Sequence, residues 1–152
     1  MRRRRRPLLI VLSLLLVLVV GGLLARAFSI DGAERAAIIG LLQAEARGDA
    51  SAMRTQIEGC QNSAACRSRV AVDVAYLTRP GRILILELGE SAGFSFGSTT
   101  GTARVVWRAG NALPIVQCVR VRRAGNLFSG LRVELLEISR RIRTDADCPT
   151  RY

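Results

Sequence analysis

The stretch Leu41-Leu42-Gln43-Ala44-Glu45-Ala46-Arg47-Gly48-Asp49-Ala50-Ser51-Ala52-Met53 decides the reading of the fold. Around it, Ile38, Leu41, Leu42 and Ala46 recur at helical spacing, which puts an apolar stripe on a helix over residues 33–47. Asp31, three residues before Glu34, gives that helix a capping-box-like start. Gly48 ends it as a left-handed residue would, since glycine takes positive φ without a Cβ penalty. Asp49 then offers a side-chain acceptor to the free N–H groups of a second, shorter helix over residues 50–58. A third helical piece is expected over residues 62–75, with Val70 and Val74 on one side.

After Pro80-Gly81 the period changes. Residues 82–88 are rich in Ile and Leu between turn signals and read as a strand. Residues 102–108 alternate, with Ala103, Val105 and Trp107 on one face. Residues 111–117 lead into a longer strand reaching Arg123. There Val119 and Val121 face one way and Cys118, Arg120 and Arg122 the other. Gly125-Asn126 marks a turn, and residues 131–138 begin with Leu131, Val133 and Leu135 inward and Arg132 and Glu134 outward. Helices first and strands afterwards argue α+β. Two or three helices are expected on a curved antiparallel sheet of about four strands, burying Ile38, Leu41, Trp107, Val119 and Val133.

The stretch 41–53 resembles the opening of the nuclear-transport-factor-two-like superfamily, which includes SnoaL-like cyclases; cystatin-like sheets are close to the same plan. The resemblance covers residues 33–142, most of the chain after its N-terminal segment. It implies a cone-like roll with a pocket between helices and sheet. Enzymes of that superfamily usually place His, Asp or Tyr in the pocket. This chain has no His; the resemblance implies a pocket that Asp73 and Tyr76 could line, and Trp107, Arg120 and Arg122 are further candidate ligand contacts of the domain.

Before this domain lie Arg2 to Arg6 and then residues 8–25, apolar except for Ser13. An eighteen-residue helix of that kind spans roughly 27 Å, which suits a bilayer core. The expectation is therefore an N-terminal transmembrane helix, a single membrane span with the N-terminus cytoplasmic. Residues 1–27 would be the cluster and anchor and residues 28–152 an extracytoplasmic domain, joined by a connector over residues 28–32. The competing reading is a cleaved signal peptide, with Ala25-Arg26-Ala27 as the small-x-small site and a secreted product.

The net charge of +11 is concentrated in that segment. All 23 basic residues are Arg, and Arg2 to Arg6 with Arg26 supply six of them; the rest of the chain sets 17 Arg against 12 acidic residues. With seven scattered aromatics, that mild excess argues against nucleic-acid binding. Arg120, Arg122, Arg123, Arg132, Arg140, Arg141 and Arg143 form a charge group, several of which would share a face if the last two strands pair. Such a face suits an anionic lipid, an acidic glycan or an envelope protein partner, unless Glu134 and Glu137 neutralise it.

The four cysteines, Cys60, Cys66, Cys118 and Cys148, form an even set that suits two disulfides in an oxidising compartment. Three connectivities exist; Cys60–Cys66 and Cys118–Cys148 is the expected one. Zinc is disfavoured, because the spacing is C-x5-C plus two solitary Cys with no His, and no metal or cofactor is expected. Gly93-Phe94-Ser95-Phe96-Gly97 matches the nucleophile elbow, but the elbow needs a His and a following helix. Lacking Lys as well, the chain has no Schiff-base chemistry. The expectation is a non-enzymatic binding or interaction module, with a pocket enzyme using Asp73 and Tyr76 as the alternative.

Overall fold

A computed structural model describes residues 5–89, 91, 98–126, 130–144 and 146–149. It is α+β. Three α-helices, α1 (Arg5–Arg47), α2 (Ala50–Gln56) and α3 (Ala64–Leu77), precede four strands, with a 3-10 turn at Cys60–Asn62 between α2 and α3. The strands β1 (Ile83–Leu88), β2 (Thr99–Ala109), β3 (Ile115–Asn126) and β4 (Gly130–Ile138) form one antiparallel sheet in the order β1-β2-β3-β4. The Gly93–Gly97 motif lies outside the described residues.

The corner at Gly48 is built from backbone geometry. Asp49 N–H donates to Ala44 O and Gly48 N–H to Glu45 O, both at 2.9 Å, the two bonds of a Schellman end. Gly48 has φ of 75°. A Cβ there would also lie 3.0 Å from Thr78 Oγ1, so glycine is required for space as well as for conformation. Asp49 then caps α2, its Oδ1 accepting from Ala52 N–H at 2.9 Å. Ser63 does the same for α3, accepting from Cys66 N–H.

The N-terminal half departs from expectation. No connector separates residues 28–32: α1 is one helix of 43 residues, running through Phe28 and Gly32. A lone Gly costs a helix only about 1 kcal/mol, and the Ala-rich sequence after it sustains the helix. The expected transmembrane helix is corrected, since among the described residues no helix is long and apolar enough to cross a membrane. The membrane as partner and the single-pass location fall with that span.

The second half of α1 lies on the sheet. Ile38, Leu41 and Leu42 are fully buried against Ala103, Val105, Trp107, Val119 and Val121, with Met53, Val70, Leu135 and Ile138 completing the core. Two charged contacts fix its upper end. Arg123 Nε donates to Glu34 Oε2 at 2.9 Å and its terminal nitrogen meets Asp31 at 2.8 Å. Arg123 and Glu34 are both nearly buried, so this ion pair joins α1 to β3 in a water-poor setting.

Both edge strands are bulged, at Leu86 in β1 and at Leu136 in β4. The second bulge corrects the alternation expected for the last strand. In a regular strand Glu134 and Glu137 fall on opposite faces; the extra residue brings both to the outer face, opposite Arg122 and Arg120. Arg120 meets Glu137 at 3.2 Å, and Arg122 and Arg132 both bond Glu134. The Arg122 hydrogen bond, aided by Arg132, holds the Glu134 carboxyl below its usual range.

Two disulfides are present, Cys60–Cys66 with Cα atoms 5.2 Å apart and Cys118–Cys148 at 5.7 Å. The second ties the tail to the outer face of β3, where Ile142 N–H also donates to Val116 O and Arg104 donates to Thr144 O.

Removing one partner of the Arg123–Glu34 pair strands the other. Arg123→Ala should lower the unfolding free energy by about 3 kcal/mol in urea titration, while Arg123→Met with Glu34→Leu should recover most of that loss. An equal loss in the double variant would refute the ion-pair account. Replacing Cys118 and Cys148 by Ser opens a 30-residue loop and should cost about 3–4 kcal/mol; replacing Cys60 and Cys66 opens a six-residue loop and should cost about 2. Denaturant midpoints in the reverse order would contradict the loop-closure account.

Candidate functional site

The helix–sheet interface holds one polar chain. Trp107 Nε1 donates to Gln117 Oε1 at 2.7 Å, and Gln117 Nε2 donates to Glu45 Oε1 at 2.8 Å and to Ser139 O at 3.1 Å. Register explains the first contact. Val105 pairs with Gln117 and Trp107 with Ile115, so Trp107 and Gln117 are diagonal neighbours on the inner face. Glu45 reaches them because it lies three and four residues after Leu42 and Leu41, on the buried stripe of α1. Ser139 completes the group, its Oγ accepting from Cys118 N–H and donating to Arg140 O.

Glu45 is 0 % exposed and Asp73, from α3, 1 %. Burial pushes the Glu45 carboxyl up to about 8; the Gln117 hydrogen bond opposes the rise and the Asp73 charge adds to it. Burial also raises Asp73, to about 7, against the pull of Arg69 and Arg140. At neutral pH Glu45 is therefore mainly a neutral acid, the form a dry interface tolerates. Glu45 Oε2 and Asp73 Oδ2 have no hydrogen-bond partner. Neither residue lines the described cavities beside α1, β1, α3 or the tail.

The residues expected to contact a ligand are not gathered in one place. Asp73 is enclosed, whereas Tyr76 is 72 % exposed. Trp107 is a core residue with its N–H satisfied. Arg120 and Arg122 stand on the opposite, outer face of the sheet, engaged with Glu137 and Glu134. Among the described residues no cluster of His, Cys, Asp and Glu could hold a metal ion.

The open feature lies elsewhere. A groove of about 800 Å³ runs between α1 and the free edge of β1. Ile39 on α1 and Ile83 and Ile85 on β1 give it an apolar floor, and Arg47, Arg82 and Arg108 stand around it with no acidic residue among its described lining. Among the described residues none of these three Arg has an ion-pair partner, unlike Arg104, Arg120, Arg122, Arg123 and Arg132. The other sheet edge is less open, since Ile57 bridges Leu135 and Glu58 N–H donates to Leu135 O at 2.7 Å. Sequence reasoning missed the groove because its three Arg are separated by 35 and 26 positions and only the α1–β1 packing brings them together.

No family profile, curated protein or solved structure matches the chain.

The raised carboxyls give stability a pH sign. A folded-state value above the unfolded one means the native protein holds the proton more tightly, so stability is fullest below about pH 4 for these two groups. It declines as pH rises through about 7 and 8. Glu45→Gln keeps the acceptor for Gln117 and removes the titration. It should exceed the parent in stability at pH 8.5 by on the order of 2 kcal/mol and flatten the slope between pH 5 and 8.5. Parallel pH–stability curves for the two proteins would refute the assignment.

Proposed function

We propose that this chain is a disulfide-braced, non-catalytic binding module that works in an oxidising compartment outside the cytoplasm. The observation that carries the reading is the contrast between its two concave regions. The space between helices and sheet, where a conical pocket would lie, is filled by Ile38, Leu41, Leu42, Trp107, Gln117 and Glu45. The α1–β1 groove is open, apolar at its floor and lined by guanidiniums that have no ion-pair partner among the described residues. A buried carboxyl without access to solvent has no route to a substrate, whereas an open groove with apolar and charged walls is the ordinary form of a recognition surface.

The two disulfides support the compartment, since such bonds persist where the surroundings are oxidising. The likeness of residues 41–53 to the nuclear-transport-factor-two-like superfamily is consistent with the helix corner and the meander that follows it. The filled interior differs from the pocket that likeness implies, and Tyr76 is exposed while Asp73 is enclosed. The reading therefore places recognition on the groove rather than in the interior.

A photo-reactive amino acid at Leu84, which is half-exposed on the groove wall, should give adducts of discrete mass in the cells that make the protein. The same substitution at the exposed Thr55 on α2 should give none. Absence of a Leu84-specific adduct would sink the binding reading.

A further inference from the structure

The groove's chemistry defines its occupant. Gly110 N–H donates to Arg82 O at 3.3 Å, so Arg82 turns its carbonyl toward β2. Antiparallel pairs alternate, and Ile83 and Ile85 therefore turn their N–H and C=O groups away from β2, into the groove. No helix, strand or loop among the described residues pairs with that edge. The bulge at Leu86 ends the regular edge after Ile85. A main chain seated here finds a short hydrogen-bonding row. Side chains on one face of such a chain meet Ile39 and Gln43 of α1; those on the other meet Leu84 and Arg108.

Charge selects among main chains. Arg47 and Arg82 are exposed and Arg108 is half-buried, all three without a carboxylate partner among the described residues. A second copy of this chain, pairing β1 to β1 around a two-fold axis, would bring Arg82 and Arg108 of both copies together, which like-charge repulsion opposes. A partner strand carrying carboxylates removes that repulsion.

We propose that the α1–β1 groove takes an extended acidic segment of a partner protein, which adds to Ile83–Ile85 as a strand while its carboxylates reach Arg47, Arg82 and Arg108. This deepens the binding reading and rests on it. The Leu84 cross-link reports whether the groove is occupied at all, and the experiment below reports only what occupies it.

The probe is a fluorescein-labelled seven-residue peptide alternating Glu and Val, followed by fluorescence anisotropy with the full chain. Saturable binding is expected. Arg82→Glu combined with Arg108→Glu should weaken it by about tenfold or more, and so should N-methylation of alternate peptide nitrogens, which removes the strand hydrogen bonds. The Lys–Val counterpart should not saturate. Arg141→Glu, beside Ile142 in a separate cavity, should bind like the parent. So should a variant with Arg2, Arg3, Arg4, Arg5 and Arg6 each replaced by Gln, which excludes adsorption to the N-terminal charge.

The proposal is overturned by any of four results. One is no saturation of the Glu–Val peptide by about 1 mM, the weakest affinity worth the name. Another is undiminished binding of the N-methylated peptide, which would make the groove a simple anion site. A third is loss of binding in the Arg2–Arg6 variant. The last is a homodimer that dissociates in Arg82→Glu, which would make a second copy the occupant.

Discussion

The fold is organised around a carboxyl that has to be satisfied out of water. Glu45 sits at full burial between α1 and the sheet, and Gln117 is the residue that receives it. Gln117 can do so because it has both kinds of group: its oxygen takes the Trp107 N–H, and its nitrogen serves Glu45 and the Ser139 carbonyl. Sliding α1 by one turn along the sheet would separate Glu45 from Gln117 and leave polar atoms stranded in an apolar core, at a cost of about 1–3 kcal/mol for each neutral group. Apolar packing alone tolerates such slides. The polar chain therefore specifies a register that the surrounding Leu and Ile residues fill but do not dictate.

The two faces of the sheet solve different problems. The inner face meets the helices, and its one charged residue near the periphery, Arg123, is matched by Glu34 and Asp31 from α1. The outer face meets solvent and the disulfide-held tail, and its Arg residues are balanced strand by strand, by Glu87 from β1 and by Glu134 and Glu137 from β4. That balance depends on an irregularity. Without the bulge at Leu136 one of the two glutamates would face the core. The Arg-rich character of β3 is thus compatible with a stable sheet because β4 is bent to meet it. The groove Arg residues lie beyond the reach of that arrangement, at the far end of the sheet.

Several of these features are legible in the sequence. Gly48 and Asp49 announce the helix corner because each has a specific stereochemical task, positive φ for one and a side-chain acceptor for the other. The inward set Ala103, Val105 and Trp107 follows from alternation alone, as does the contrast of Val119 and Val121 with Arg120 and Arg122. Cys60–Cys66 is suggested by proximity in the chain. The misses have physical causes too. The helix does not stop at residues 28–32 because nothing there breaks it, and the apolar stretch at its start says nothing about where a continuous helix ends. The bulges at Leu86 and Leu136 depend on partner strands and leave no local mark. Nothing local announces the role of Glu45, since its partner Gln117 lies 72 residues away. The same distance problem hides the groove.

The Cys118–Cys148 bond has a mechanical side. It joins the tail to β3, a central strand, and not to the adjacent edge strand β4. Tension applied at the C-terminal end passes through Cys148 to Cys118 and loads the middle of the sheet, where β3 is held by ladders on both flanks. The chain between the two cysteines, β4 included, carries none of that load. Pulled from this end, the domain yields only when a central strand shears, and the enclosed segment adds nothing to the extension. An unbridged tail would instead peel β4 from the edge, one hydrogen bond at a time.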